Sequence, residues 1–369
     1  MKVEASSYDK IEFLPQYIKP GEFINPPKEI KEIKEIKIGA TKKIKMRAPS
    51  RIDFGVLDHS ALKFTDSQDY KAGEMLFACD KYFFAEVELT KNPEIIIKSE
   101  RKLLVEHIAK MMTKATNYSG GFKINTKDIK YKHVGFASSA VTMITVAIAI
   151  NKLFGNAFSL RELRTLISYN YVEESDKNPN LLFPGTTTGG AFNSIINGGF
   201  CITSSDCELI FRENIPDDLI FIIGMPRLKN IGPETSETEA NIINWARHNE
   251  RINAAKTALW ILMEIMPNFV AGNLAKVGEA FYNFTFFGEK GMQMLFHRQD
   301  LAGILFELKE AGLEGGTMSS AGPTLVVFTQ SKEKAKIAEE IFAKRGCEQI
   351  FRAKGDNVGI IEIKSSDPK

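Results

Sequence analysis

An α+β fold of two domains is predicted by three features of the sequence. The chain has 369 residues, enough for roughly two domains of about 150 residues each. Apolar residues make up 44% and charged residues 25%, the balance of a globular chain that builds its core without disulfides or a structural metal. In the C-terminal third the pattern runs strand, helices, strand, helix, strand, as expected for helices packed on one face of an antiparallel sheet. The expected division is an N-terminal arm (1–45), a first domain (46–207) and a second (208–369).

Residues 1–30 carry several prolines and predict a loosely structured arm. KEIKEIKEIKIGATKKIKM (28–46) begins with Ile at every third position, the spacing of one helix stripe, and its later part, IKIGATKKIKM, alternates apolar and charged residues around a Gly turn, which favours a hairpin there. MRAPSRIDFGVLDH (46–59) starts as a strand broken by Pro49 and Gly55. YFFAEVELT (82–90) and EIIIK (94–98) are predicted strands. Leu103, Leu104, Ile108 and Met111 give residues 100–116 helical spacing. Residues 139–154 are apolar nearly all round, so they predict a buried helix, and 160–174 predict another.

FNSIINGGFCI (192–202) reads as a helix or turn feeding a strand, and 208–226 hold two strands. Residues 236–267 and 271–284 are expected to be helical. DLAGILFELKEAGLEGG (300–316) predicts a helix ended by glycines. A strand (324–330), a helix (332–346) and a final strand (357–364) complete the chain.

The formal net charge of +2 gives no bulk attraction to nucleic acid or membrane. No apolar stretch reaches the ~20 residues of a membrane helix, and MKVEASSYDK has no signal-peptide pattern. Cys79, Cys201, Cys207 and Cys347 form no CxxC pair and no zinc spacing, as expected of reduced thiols in a cytoplasmic protein. The expected partner is a small phosphorylated substrate, with neither nucleic acid nor membrane, and a homodimer is the expected assembly.

Three Gly-rich segments punctuate this pattern. GFASSA (135–140) stands at the mouth of the buried helix. Its N–H groups can form a nest, the helix dipole favours an anion, and Ser138 and Ser139 add hydroxyls. A plain N-cap would use the same serines. PGTTTGGAFNSIINGGF (184–200) and GGTMSSAGPT (315–324) follow. Neither GxxxxGK[ST] nor a GxGxxG after a strand is present, so this is not a Walker P-loop.

Together these segments resemble the signature motifs of the GHMP kinase superfamily, which includes galactokinase, homoserine kinase, mevalonate kinase and phosphomevalonate kinase. APSRIDFGVLDH (48–59) is similar to the first motif, GFASSA to the second and GGTMSSAGPT to the third. GTTTGGAFNSIINGGF (185–200) is similar to the family segment GTxSGxDxxxxxxGG. The resemblance spans residue 46 to the C-terminus. It implies the GHMP kinase fold: an N-terminal domain like the second domain of ribosomal protein S5, then a ferredoxin-like α/β sandwich.

It also implies ATP and Mg²⁺, with Gly135, Phe136, Ala137, Ser138, Ser139 and Ala140 cradling the phosphates. Arg51 and Ser139 take catalytic roles, and Ser139 with Glu173 or Glu174 holds the metal. Asp58, His59, Thr187, Thr188, Gly189, Ser319, Ser320, Ala321 and Gly322 face substrate. Asp53 and His133 are further candidates near the motifs. Arg47, Lys71, Arg227 and Lys229 could meet an anionic substrate or be plain surface charge. One departure stands out: the family's Asp that orients the acceptor hydroxyl is Ala191 here.

The expected activity is an ATP-dependent kinase acting on the hydroxyl of a small anionic metabolite. A mevalonate phosphate, for instance the 3-phosphate phosphorylated at its 5-hydroxyl in isoprenoid biosynthesis, is the favoured acceptor. RIDFGVLDHS, HVGFASSA, NGGF and above all MSSAGPT also resemble a narrower archaeal branch, that of β-ribofuranosylaminobenzene 5′-phosphate synthase. That enzyme joins phosphoribosyl pyrophosphate to an aminobenzoate and releases CO₂ and pyrophosphate. Phosphoribosyl transfer is therefore the alternative, and a non-catalytic binder a third reading.

Overall fold

The computed structural model describes residues 17–24, 33–57, 73–127, 135–175, 178–185, 189–204, 207–226 and 253–364. Strand β1 (Lys43–Val56) pairs antiparallel with β2 (Glu74–Thr90), from Lys43↔Glu88 to Val56↔Glu74. Pro49 has no N–H for the ladder and the register slips between Pro49 and Ser50, then again between Asp53 and Gly55. The expected break is thus a pair of bulges in one continuous strand. β4 (Gly121–Lys127) pairs with β2, and β3 (Ile95–Lys98) lies parallel to β4. β7 (Phe200–Thr203) pairs with the first part of β2, and β8 (Leu209–Glu213) with β7. The late strand β13 (Ile361–Glu362) pairs with β1 to complete a seven-stranded sheet. This sheet therefore takes strands from both sides of position 207.

Helix α1 (Lys102–Thr116) packs beside α2 (Ser138–Leu153), which lies on β1 and β2. Every residue of α2 except Lys152 is buried, as the apolar run required. Met46, Phe83 and Val87 of the sheet meet Leu104, Ile108, Val141 and Ile148 of the helices in one core. The hairpin expected within 28–46 does not form, and the first strand begins at Lys43. Ile33 and Ile38 stay exposed, whereas Ile44 and Met46, which have β2 beside them, are buried.

Helix α3 (Leu160–Tyr169) opens with a Ser159–Glu162 capping box. It stops five residues before the expected end. The Asn170 amide donates back to Leu166 O at 2.9 Å, and the chain turns into β5 (Val172–Glu174), paired with β6 (Leu182–Pro184). Glu173 and Glu174 consequently lie on a hairpin, not at a helix end. Helix α4 (Gly190–Asn197) follows.

The second half contributes a π-helical turn (Trp260–Ile265) running into α5 (Met266–Val270), then α6 (Leu274–Phe287), α7 (Glu289–His297), α8 (Leu301–Glu310) and α9 (Lys332–Lys344). A four-stranded antiparallel sheet has the order β10 (Gly315–Met318), β11 (Leu325–Thr329), β9 (Ile220–Pro226), β12 (Cys347–Lys354). Gly315 and Gly316 open a strand and do not cap the helix before them. β12 was not legible in the sequence. The final strand shrinks to Ile361–Glu362, because Asp356 Oδ1 accepts from Val358 N and Gly359 N and bends the chain there.

The period of two in β9 splits its faces. Ile222 packs with Leu305, Leu308 and Phe342, while Phe221 and Ile223 enter a second core shared with the first sheet. That core is aromatic: Phe77 stacks on Phe200 at 4.4 Å and Phe54 meets Phe281 at 4.6 Å.

Part of the arm is fixed to the body. Ile18 and Leu182 exchange both backbone bonds at 2.9 Å, and Ile24 N donates to Asn170 Oδ1. Gly21 N donates to His107 Nδ1 at 3.0 Å, so Nε2 carries the imidazole proton and donates to Asn170 O. Burial pushes the His107 pKa down from 6.5 to about 4. The folded chain excludes a proton that the unfolded chain accepts, so this stability is complete above pH 6.5 and is lost as pH falls toward 4. We expect a loss of about 2 kcal/mol at pH 5 relative to pH 7 from this group alone. Urea unfolding at both pH values, in wild type and His107→Gln, isolates it: the variant should lack that share of the pH dependence.

Candidate active site

Strand β1 and two sequence-distant loops meet at the carbonyl of Gly135. Alternation along β1 sends Ile52 and Phe54 into the aromatic core and leaves Arg51 and Asp53 on the opposite face. Gly135 O accepts from Arg51 Nη1 at 2.9 Å and from Ser319 Oγ at 2.7 Å. Ser319 Oγ in turn accepts from Asp53 N at 3.1 Å. Arg51 Nη2 reaches Ser320 Oγ at 3.4 Å and lies 3.7 Å from Glu74 Oε1. Motifs one, two and three of the sequence are therefore one structural unit.

Gly135 has φ of 88°, and a Cβ there would stand 2.4 Å from Ser319 O. Ala137 is also left-handed, at φ 56°, and turns the chain into α2. The first helical bond runs from Val141 N to Ala137 O at 2.9 Å. The N–H groups of Ser138, Ser139 and Ala140 at the helix mouth thus have no carbonyl one turn back, the arrangement that receives anions. The Phe136 side chain is not part of this cradle: it is buried in the aromatic core, 5.8 Å from Phe351.

The third loop is held from behind. Buried Lys290 donates to Ser320 O at 2.6 Å and lies 3.6 Å from Asp53 Oδ2. His297 Nε2 donates to Ala321 O, and Gly322 has φ of 95°.

Ser139, Glu173 and Glu174 converge as expected, but around a guanidinium. Arg101, 1% exposed, donates to Ser138 Oγ (2.9 Å), Ser139 Oγ (2.6 Å), Glu174 Oε2 (2.6 Å) and Glu173 Oε2 (3.4 Å). Ser139 Oγ donates its own proton to Glu173 Oε2, and Tyr171 OH donates to Glu173 Oε1 at 2.5 Å. Among the described residues no group of three or more His, Cys, Asp or Glu side chains is placed to hold a metal ion.

Ala191 is buried within α4 and packs in the first core, so no polar group takes the place of the family Asp at that position. Gly189 caps α4 against Cys207. Buried Glu74 lies at the same helix end, within 2.3 Å of where a Gly190 Cβ would be. Arg47 stacks on Tyr82 at 4.2 Å, away from these loops. Burial pushes the Cys79 and Cys201 thiols up to about 12, which removes them as nucleophiles. Asp58, His59, Lys71, His133, Thr187, Thr188, Arg227 and Lys229 lie outside the described residues. Arg101, Glu74 and Lys290 were missed by the sequence reading: each is a single charged residue in an ordinary helix or strand pattern, and only burial distinguishes it.

No protein-family model matches the chain. Solved structures overlap most of it. A Staphylococcus aureus mevalonate diphosphate decarboxylase covers 88% of this chain and 98% of its own at TM-score 0.62 and 17% identity. The Methanococcus jannaschii mevalonate kinase covers 86% and 100% at TM-score 0.60 and 15% identity. A Cytophaga hutchinsonii homoserine kinase covers 89% and 99% at TM-score 0.59 and 15% identity.

The chain has the GHMP kinase fold.

One structure of this fold, at 15% identity and TM-score 0.61, holds MVAPP, AMPPCP and magnesium. By sequence, the chain is similar to two GHMP-type proteins named β-ribofuranosylphenol 5′-phosphate synthase. The Methanothermobacter thermautotrophicus protein is 21% identical over 296 residues, 75% of this chain and 84% of the relative. The Methanocaldococcus jannaschii protein is 21% identical over 350 residues, 85% of this chain and 98% of the relative. No helix among the described residues is long and apolar enough to cross a membrane.

Gly135→Ala should lower stability by about 2 kcal/mol or more, because a positive φ and a carbonyl contact both oppose the methyl group. Urea denaturation checks this, and the loss should exceed that of an alanine at exposed Gly346, where nothing lies within 4 Å of the new methyl.

Proposed function

We propose that this chain is a transferase that holds the diphosphate of a phosphorylated sugar at Gly135–Ala140 and passes a phosphoribosyl group to an aromatic acid. The observation that carries this reading is the buried Ala191 in α4, whose first residue, Gly190, packs on Glu74, itself 3.7 Å from Arg51 at the loop junction. A kinase gains from a side chain that orients its acceptor hydroxyl and receives the proton, the part the family Asp has and Ala191 cannot take. An aromatic carboxylate attacking through its ring carbon loses CO₂ instead, so no base is needed to remove a hydroxyl proton. The C1′–O bond to the diphosphate breaks, a C–C bond to the ring forms, and the ring carboxylate's electrons return to the ring as CO₂ departs.

Each chain element has a defined part. The helix-mouth N–H groups bind phosphate oxygens. Arg51, fixed by Gly135 O, stabilises the charge that develops on the departing diphosphate. The Ser319–Gly322 loop, held by Lys290 and His297, closes the other side. The names of the two sequence relatives and the MSSAGPT loop support the same reading.

A second reading is kept for one observation. Glu74 is a buried carboxylate beside Arg51 at the end of α4, where it could receive a hydroxyl proton. It suits an ATP-dependent kinase with a mevalonate phosphate as acceptor.

³¹P NMR separates the two. The full chain is given phosphoribosyl pyrophosphate with 4-hydroxybenzoate or 4-aminobenzoate in one set of tubes. Mg²⁺–ATP with mevalonate, its 3- and 5-phosphates or homoserine fills another. Pyrophosphate, together with CO₂, is expected only in the first set. A new phosphomonoester with stoichiometric ADP in the second set would replace this reading with the kinase. Arg51→Met should lower kcat/KM of whichever transfer is found by about 10²–10³-fold.

A further inference from the structure

We infer that this chain carries its own cation at the serine–carboxylate pair where the family resemblance calls for Mg²⁺: the Arg101 guanidinium occupies that place, and the pair takes no divalent ion while Arg101 is there. The inference stands whichever transfer reaction the enzyme runs.

The donor set argues it. A Mg²⁺ held by Ser139 and Glu173 needs an oxygen lone pair from each at about 2.1 Å, in near-octahedral order. Neither is offered. The Ser139 hydroxyl donates to Glu173 and accepts from Arg101 Nη2 at 2.6 Å. Glu173 Oε2 accepts from both Ser139 and Arg101, and Oε1 accepts from Tyr171 at 2.5 Å. A divalent ion bound to both oxygens would also lie against the guanidinium, and burial strengthens that repulsion.

Arg101 does not sit there by chance. It is the residue just before α1, so its backbone is set by the helix start. Its backbone N–H is fixed as well, since it donates to Ser99 Oγ at 3.0 Å. The guanidinium then uses Nε, Nη1 and Nη2 on four different side chains. The planar fork suits this, whereas a lysine ammonium would reach fewer of them. Glu174 is the more exposed carboxylate and shares a surface groove with Lys19, Lys102 and Lys110. A fixed guanidinium directly beneath Ser138 and Ser139 offsets carboxylate charge from Glu173 and Glu174 at the helix mouth, the part a dissociable metal ion would otherwise have.

The test is Mn²⁺ binding to the full-length protein, followed by the EPR signal of free Mn²⁺, with no substrate present. Wild type should show no Mn²⁺ site that Glu173→Gln weakens. Arg101→Met frees the pair and should gain a site at least about ten-fold tighter than any in wild type, lost again in Arg101→Met/Glu173→Gln. Mn²⁺ alone should raise the Tm of Arg101→Met and leave wild type unchanged. Tight binding to wild type that Glu173→Gln weakens overturns the inference, and so does a folded Arg101→Met that gains no site. If Arg101→Met does not fold, the wild-type and Glu173→Gln comparison decides alone. Because no turnover is measured, failure here is distinct from failure of the phosphoribosyl-transfer reading.

Discussion

The approach of two loops at the Gly135 carbonyl is the constraint on which the candidate site rests. One oxygen accepts from Arg51 and from Ser319, and Ser319 passes the connection to the backbone of β1 at Asp53. Only a residue without a Cβ permits that distance, because the Ser319 carbonyl fills the space a methyl would need. Arg51 gains direction from the same contact. A guanidinium fixed by a carbonyl is already oriented before an anion arrives, and preorganised charge is worth more than charge that must reorient.

The aromatic core fixes the other side of β1. Phe54 and Phe77 from the first sheet pack with Phe221 and Phe328 from the second, and Phe281 of α6 fills between them. Such pairs contribute about 0.5–1.5 kcal/mol each beyond their burial. Because successive strand residues point to opposite faces, anchoring Ile52 and Phe54 in that core sets where Arg51 and Asp53 project. The packing that joins the two sheets and the geometry of the loop junction are thus two faces of one strand.

Three buried cations surround the motif-two loop, and each is matched. Arg51 lies near Glu74, Lys290 near Asp53, and Arg101 between Glu173 and Glu174. A buried ion pair gives little net stability once desolvation is counted, yet removing one member leaves a costly unpaired charge. Fold likeness at 12–17% identity does not choose the reaction, since kinases and a decarboxylase share this fold.

Much of this was readable from residue order. The buried helix over 138–153 followed from an apolar run with no polar face, and two of the Gly-rich motifs marked the two loops that meet β1 at the junction, because turns and close approaches demand particular residues locally. The 207/208 division is left open by the described residues, and Asp58, His59, Thr187 and Thr188 lie outside them, while the part of the arm at 17–24 is pinned to the body by Leu182, His107 and Asn170. What the sequence could not contain were facts of pairing. β12 has no strong alternation and becomes a strand because β9 offers it an edge. Among the described residues just before Gly39 no strand forms, and Ile33 and Ile38 stay exposed, whereas Ile44 beyond it is buried in β1 against β2. Helix α3 ends early because an asparagine folds back on it. Above all, Arg101 and Ser139 are 38 residues apart, and Arg101 and Glu173 are 72 apart. Local chemistry is written in local order. Which charge neutralises which carboxylate is decided only when the tertiary fold brings distant side chains within reach and removes the water between them.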